Sequence, residues 1–233
     1  MIQVILLAGL AGAMIPLGGW LAAHEHIQRH WLRNELRHTV IAFGGGALLS
    51  AVTLVLIPNG DAALGDFAVI AWIAAGAMVM ASVDAWLTHS GSPKAQLVAM
   101  LSDFIPEAIA LGAVVASGEG SALLLALLIA LQNLPEGFNA YREQADAGMH
   151  GPRILRRFLM LALLGPFAAA GGYVLLADLP QITGALMLAA AGAILYLIFQ
   201  DIAPQAKLRN KRGPALGAVA GFLLGLFGDL VIG

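Results

Sequence analysis

Two short stretches hold the residues best suited to chemistry. One reads Asp103-Phe104-Ile105-Pro106-Glu107 and the other Gln132-Asn133-Leu134-Pro135-Glu136-Gly137. Each sets a polar side chain and a glutamate at i and i+4, so on a helix the two share a face. In each, proline immediately precedes the glutamate. One Asp, two Glu and a Gln carbonyl make an all-oxygen donor set, which suits hard or borderline dications: Mn²⁺, Fe²⁺, Zn²⁺, Mg²⁺ or Ca²⁺. Each proline removes one N–H and frees the carbonyl four residues earlier, on Ser102 and Leu131. In apolar surroundings such a carbonyl must be met by protein, water or an ion. The competing reading is a pair of proline kinks whose buried, hydrogen-bonded carboxyls only hold helices together.

The elements that must position these residues follow from composition. The chain has 233 residues, 60% of them hydrophobic and 11% charged, where soluble domains average about 25% charged. Mean hydropathy is +0.85. Twelve basic and fourteen acidic groups cannot cover a soluble surface of this size. The balance excludes a soluble enzyme and a disordered chain, and a net charge of −2 offers nothing to nucleic acid. The absence of cysteine excludes disulfides and thiolate ligands. The fold class predicted is all-α, a polytopic membrane protein forming a single transmembrane domain over 1–233.

A spanning helix needs roughly 20 apolar residues. Eight stretches qualify, near 2–23, 38–57, 67–88, 95–117, 121–142, 158–177, 184–204 and 214–232. The first lacks a charged leading segment and is expected to be retained. The basic residues alternate with the connectors. Arg29, Arg33 and Arg37 fall in the first, Lys94 in the third, Arg142, Arg153, Arg156 and Arg157 in or beside the fifth, and Lys207, Arg209, Lys211 and Arg212 in the seventh. The even connectors carry Asp61, Asp66, Glu119 and Asp178 instead. Basic residues concentrate on the cytoplasmic side, which predicts eight transmembrane helices with both termini outside. Trp20, Trp72 and Trp86 fall near span ends and read as interfacial anchors.

The fourth and fifth spans are joined by a very short connector and should form an antiparallel hairpin. Asp103 and Glu136 are equally far from the midpoint between Glu119 and Gly120, and so are Glu107 and Gln132. Four oxygen-bearing side chains can then converge at two levels roughly 6 Å apart. A charge at mid-membrane costs about 2.5–3.5 kcal/mol on insertion scales and persists only beside a cavity or a partner.

These residues resemble the ZIP (Zrt/Irt-like protein) family of divalent-metal transporters. That family has eight spans, external termini and a metal site between its fourth and fifth spans. Its fourth-span motif, His-Asn-x-Pro-Glu-Gly, aligns with Asp103 to Ala108; a Gln-led form of its fifth-span motif aligns with Gln132 to Gly137. Gly44–Gly46 leading to Ile57-Pro58 resembles the second span, and Leu195 to Pro204 resembles the seventh, with Gln200-Asp201 where the family often has His-Glu. Asp229 sits where a family member can carry an entrance carboxylate.

There are departures. Phe104, Asn133 and Gly165 stand where the family's second metal finds Asn, a polar residue and Glu. Only Asn133 among them could still ligate. The resemblance therefore implies one transport site made by Asp103, Glu107, Gln132 and Glu136, with Asn133, Gln200, Asp201 and Asp229 as weaker metal candidates. Loss of the usual histidine removes the imidazole that favours zinc.

The function expected is movement of a divalent cation toward the cytoplasm by alternating access around a midplane site. Zn²⁺, Fe²⁺, Mn²⁺ and Cd²⁺ are candidate substrates, with no separate cofactor. A non-transporting metal sensor or structural homologue on the same fold is the alternative. An enzyme is not expected: no Ser/His or His-Glu-x-x-His arrangement lies in the spans, and nothing brings Asp103 and Asp201 together as a dyad. The partners expected are the metal ion and the lipid bilayer, without nucleic acid; a homodimer stays open. A bacterial inner membrane suits so compact a chain. His24, His26 and His30 could receive exiting metal or belong to a solvated amphipathic segment. Asp84 reads as a capping or pairing residue and His150 as loop. The small residues of Gly44–Gly46, Ala74-Ala75-Gly76 and Gly171-Gly172 should allow tight helix contacts.

Overall fold

The computed structural model describes residues 1–25, 30–90, 95–118, 122–207 and 211–232; within these, the side chains of 30–34, 87–90, 95–103, 117 and 232 are not part of the description. Every described element is helical. Helix α1 is Ile2–Ala23. Helix α2 runs through His30–Ala51, a π-helical turn Val52–Leu56 and Ile57–Leu64. Then follow α3 (Asp66–Ser90), α4 (Ala95–Ser117), α5 (Ala122–Asp146) and α6 (Gly151–Leu176). Helix α7 combines Pro180–Leu197, a second π-turn Ile198–Ile202 and Ala203–Ala206, and α8 is Gly213–Ile232.

Among the described residues, seven of these helices are long and apolar enough to cross a membrane. The described apolar part of α4 is the shorter Phe104–Ala116. The large exposed side chains are those lipid would cover, such as Phe67, Ile70, Met78, Phe167 and Leu230. Trp20, Trp72 and Trp86 are all exposed. The chain is thus built as a polytopic membrane protein.

The helices outrun their apolar stretches. Helix α2 starts well before residue 38, α6 before 158, and α5 continues past 142. Hydropathy marks only the part lipid would cover; the extra turns carry charged side chains that pair at one end of the bundle. Arg142 meets Glu25 at 2.8 Å, Lys211 meets Glu35 at 3.1 Å and Arg37 meets Glu143 at 3.9 Å. These pairs draw the first, fifth and seventh connectors to the same end. Both π-turns precede a proline, although Pro16, Pro106, Pro135 and Pro166 sit inside α-helix without one, so packing decides where the turn widens. Pro58 and Pro204 would each clash with the carbonyl four residues earlier. Widening the preceding turn relieves the clash without ending the helix.

The helices sort into two bundles. One contains α1, α4, α5 and α6; the other contains α2, α3, α7 and α8. Helices α1 and α6 each carry an internal proline, Pro16 and Pro166, and α2 and α7 each carry a π-turn. Within each bundle, reciprocal glycines bring backbones together. A Cβ on Gly137 of α5 would strike the Ile15 carbonyl of α1, and one on Gly18 the Leu134 carbonyl in return. Gly112 and Gly172 cross α4 with α6 in the same way, Gly46 and Gly221 cross α2 with α8, and Gly76 and Gly192 cross α3 with α7. Gly171 faces open space, so the expected tight contact belongs to Gly172 alone.

Between the bundles the glycine contacts are to side chains: Gly44 against the Pro135 ring, Gly225 against Leu128 and Gly228 against Leu124. The helix backbones therefore approach one another less closely at these positions than at the four reciprocal crossings. Gly192→Ala is expected to destabilise the protein by about 1–3 kcal/mol through overpacking, while Gly171→Ala leaves thermal unfolding in detergent unchanged.

Candidate cation site

The site is built on α4 and α5, where each proline-glutamate step lies inside a continuous helix. Glu107 and Gln132 are both buried. Gln132 Nε2 donates to Glu107 Oε1 at 2.6 Å and to Oε2 at 2.5 Å. The two residues that the hairpin arithmetic sets at one level are thus in direct contact. Turning the amide over would present its carbonyl oxygen to the same point, so the pair can offer a cation three oxygens.

Glu136 lies one turn beyond Gln132 on the same face of α5. Its charge interacts with that of Glu107 and also with that of Asp201. Asp201 belongs to the π-turn of α7, so the acidic groups approach one another across the seam between the bundles. Asp201 is exposed and accepts from Gln205 Nε2 at 2.5 Å. Mutual repulsion of carboxylates in a low-dielectric site is costly, and a bound dication reverses its sign. Asp103 lies in α4 one turn before Glu107, but its side chain is not among those described. Among the described residues, no three His, Asp or Glu side chains form a group that could hold a metal ion.

The weaker candidates separate. Asn133 points to α1, donating from Nδ2 to the Ala11 carbonyl at 2.9 Å, while its Oδ1 is buried without a hydrogen bond. The sequence pairs Gln200 with Asp201, but the fold turns Gln200 into a membrane-facing groove between α3 and α7, with Ile70, Ala74, Tyr196 and Phe199. Asp229 follows Gly228, which packs beside Leu124. That level is twelve residues, about 18 Å, along α5 from Glu136. Phe104 is buried, and its ring tip fills a notch floored by Gly12 and Gly165.

Asp84 accepts a hydrogen bond from the Tyr196 hydroxyl at 2.8 Å. His24 Nδ1 lies 2.9 Å from the Trp20 carbonyl, and its ring stands 4.6 Å from that of Trp20. His26, Lys94, Glu119 and Gly120 lie outside the described residues, as do the side chains of His30 and His89; His150 is exposed ahead of α6.

Sequence reasoning missed two residues on the glutamate face of α5. Asn139 and Glu143 continue the run from Gln132 and Glu136 at spacings of three and four. The signal was legible as one polar helical stripe, but it extends past the predicted span. No family model matches the chain, and no curated protein matches it.

Gln132→Leu removes both hydrogen bonds to Glu107 and leaves a buried carboxylate without them. The expected cost is about 1–3 kcal/mol, that of leaving a buried polar group unsatisfied. A double-mutant cycle with Glu107→Leu, read by thermal unfolding in detergent, should show strong coupling between the two positions.

Proposed function

We propose that the protein moves a divalent cation across the membrane, with Glu107, Gln132 and Glu136 as the core of one transport site and Asp103 completing it from one turn away. The observation that carries this reading is the buried Glu107–Gln132 pair inside an apolar protein, with Glu136 near enough to Glu107, and Asp201 of the other bundle near enough to Glu136, for their charges to interact. Ionisable groups so placed in a membrane protein mark ion pathways. Two bundles that meet largely through side chains suit alternating access, in which one bundle shifts against the other and exposes the site to each side in turn.

On this reading the chain crosses the membrane eight times with both termini outside. The arginine-rich end is then cytoplasmic, and cargo moves toward it, in a bacterial inner membrane. Zn²⁺, Fe²⁺, Mn²⁺ and Cd²⁺ are the candidate ions, and the resemblance of the two proline-glutamate motifs to those of the ZIP family supports the class. Phe104 filling the Gly12–Gly165 notch supports one metal site, because the ring takes up space a second ion and its ligands would need.

Purified protein in proteoliposomes should take up at least one ion from a panel of Zn²⁺, Cd²⁺, Fe²⁺, Mn²⁺, Co²⁺ and Mg²⁺. Glu107→Ala and Glu136→Ala should reduce uptake to background while Glu119→Ala retains it. Wild-type uptake by a correctly inserted Glu136→Ala protein would overturn the site assignment. Metal binding without uptake of any ion would favour a sensor on this scaffold.

A further inference from the structure

Helix α5 carries a second pattern beyond the site. Gln132, Glu136, Asn139 and Glu143 follow one another at spacings of four, three and four, which keeps them within about 60° of arc on one helical face. One contact and one charge interaction place that face. Glu143 Oε1 pairs with Arg37 Nη2 of α2 at 3.9 Å, and Glu136 is near enough to Asp201 of α7 for their charges to interact. Both α2 and α7 belong to the other bundle, so the stripe looks toward the seam between the site and the arginine-rich end. The flank about a quarter to a third of a turn away is different: Asn133 and Gly137 there pack against α1.

Between Glu136 and Glu143 lies Asn139. Its Oδ1 is shielded from solvent and makes no hydrogen bond among the described residues. Gln144, off the stripe, has both amide atoms in the same state, so it is the position of Asn139 between Glu136 and Glu143, and not its unpaired oxygen, that sets it apart. Beyond it, the Arg37–Glu143 pair closes the stripe. Both side chains are partly exposed, at 32% and 41%, and a partly exposed pair at this separation is weak. It can open and reclose at little cost, which suits a gate better than a permanent brace. While closed, the guanidinium repels a cation and occupies the last carboxylate on the path.

We propose that this face of α5 is the route by which the cation leaves Glu136, with Asn139 on the path and Arg37–Glu143 as its inner gate. The proposal rests on the transport reading for its cargo, but the route can be read without any cation. The chain has no cysteine, so single-cysteine variants report cleanly. Asn139→Cys and, as a control on the α1-facing side, Gln144→Cys are placed in sealed vesicles with the arginine-rich side outward. Each is treated with a membrane-impermeant cationic methanethiosulfonate and separately with a neutral one.

Asn139→Cys should react about tenfold faster than Gln144→Cys, and adding Arg37→Gln should raise its rate further, more for the cationic reagent because a repelling charge has gone. Equal rates for the two cysteines, or indifference to Arg37→Gln with both reagents, would overturn the proposal. If Asn139→Cys does not fold, Asn139→Ser and Arg37→Gln are compared with the parent by uptake instead: both should change the rate of cation release on the arginine-rich side, and parental rates in both count against the route and its gate. Labelling as expected in a protein that takes up no ion would leave the route standing and remove the transport reading alone.

Discussion

The structure depends on backbone-to-backbone contact at crossing glycines. In lipid, helices gain little from hiding apolar side chains from one another, because the surrounding solvent is equally apolar. Association then rests on close packing and on weak contacts such as Cα–H to carbonyl oxygen. The reciprocal pairs Gly18/Gly137, Gly112/Gly172, Gly46/Gly221 and Gly76/Gly192 provide that contact. All four join helices of the same bundle. The two bundles meet largely through side chains, and Glu136 and Asp201 interact across that boundary.

Placing carboxylates on that seam is costly, and the fold manages the cost locally. Glu107 is held from both oxygens by the Gln132 amide. Glu136 and Asp201 approach from opposite bundles, so their repulsion depends on how the bundles sit against each other. Any change in the separation of the two bundles changes the field that each of these groups feels from the other. The two π-turns differ in what they carry: Asp201 sits in that of α7, while Val55, at the same place in that of α2, is fully buried and apolar.

Much of this was legible in the sequence, for identifiable reasons. Hydropathy finds lipid-covered stretches because the bilayer demands a run of apolar residues. The level shared by Glu107 and Gln132 follows from counting along an antiparallel hairpin. Pro58 and Pro204 were visible as breaks in their spans, yet the helices continue through them as π-turns, a choice made by packing. The helix extensions beyond residues 38, 158 and 142 escaped hydropathy because their side chains are charged and pair with one another. Asn139 and Glu143 were overlooked for the same reason, lying past the apparent end of the fifth span.

By itself, then, the sequence determined the solvent, the positions of the apolar runs and the level at which the buried polar groups lie along each helix. These depend on composition and on the fixed rise of an α-helix. Only the tertiary structure decided which faces meet. It turned Gln200 to the membrane-facing groove and Asn133 to α1, set Asp201 near Glu136, left Gly171 open and gave Glu143 to Arg37. Helix rotation is settled by the packing of one surface on another, chiefly at the glycine crossings, and no spacing within a single helix encodes it.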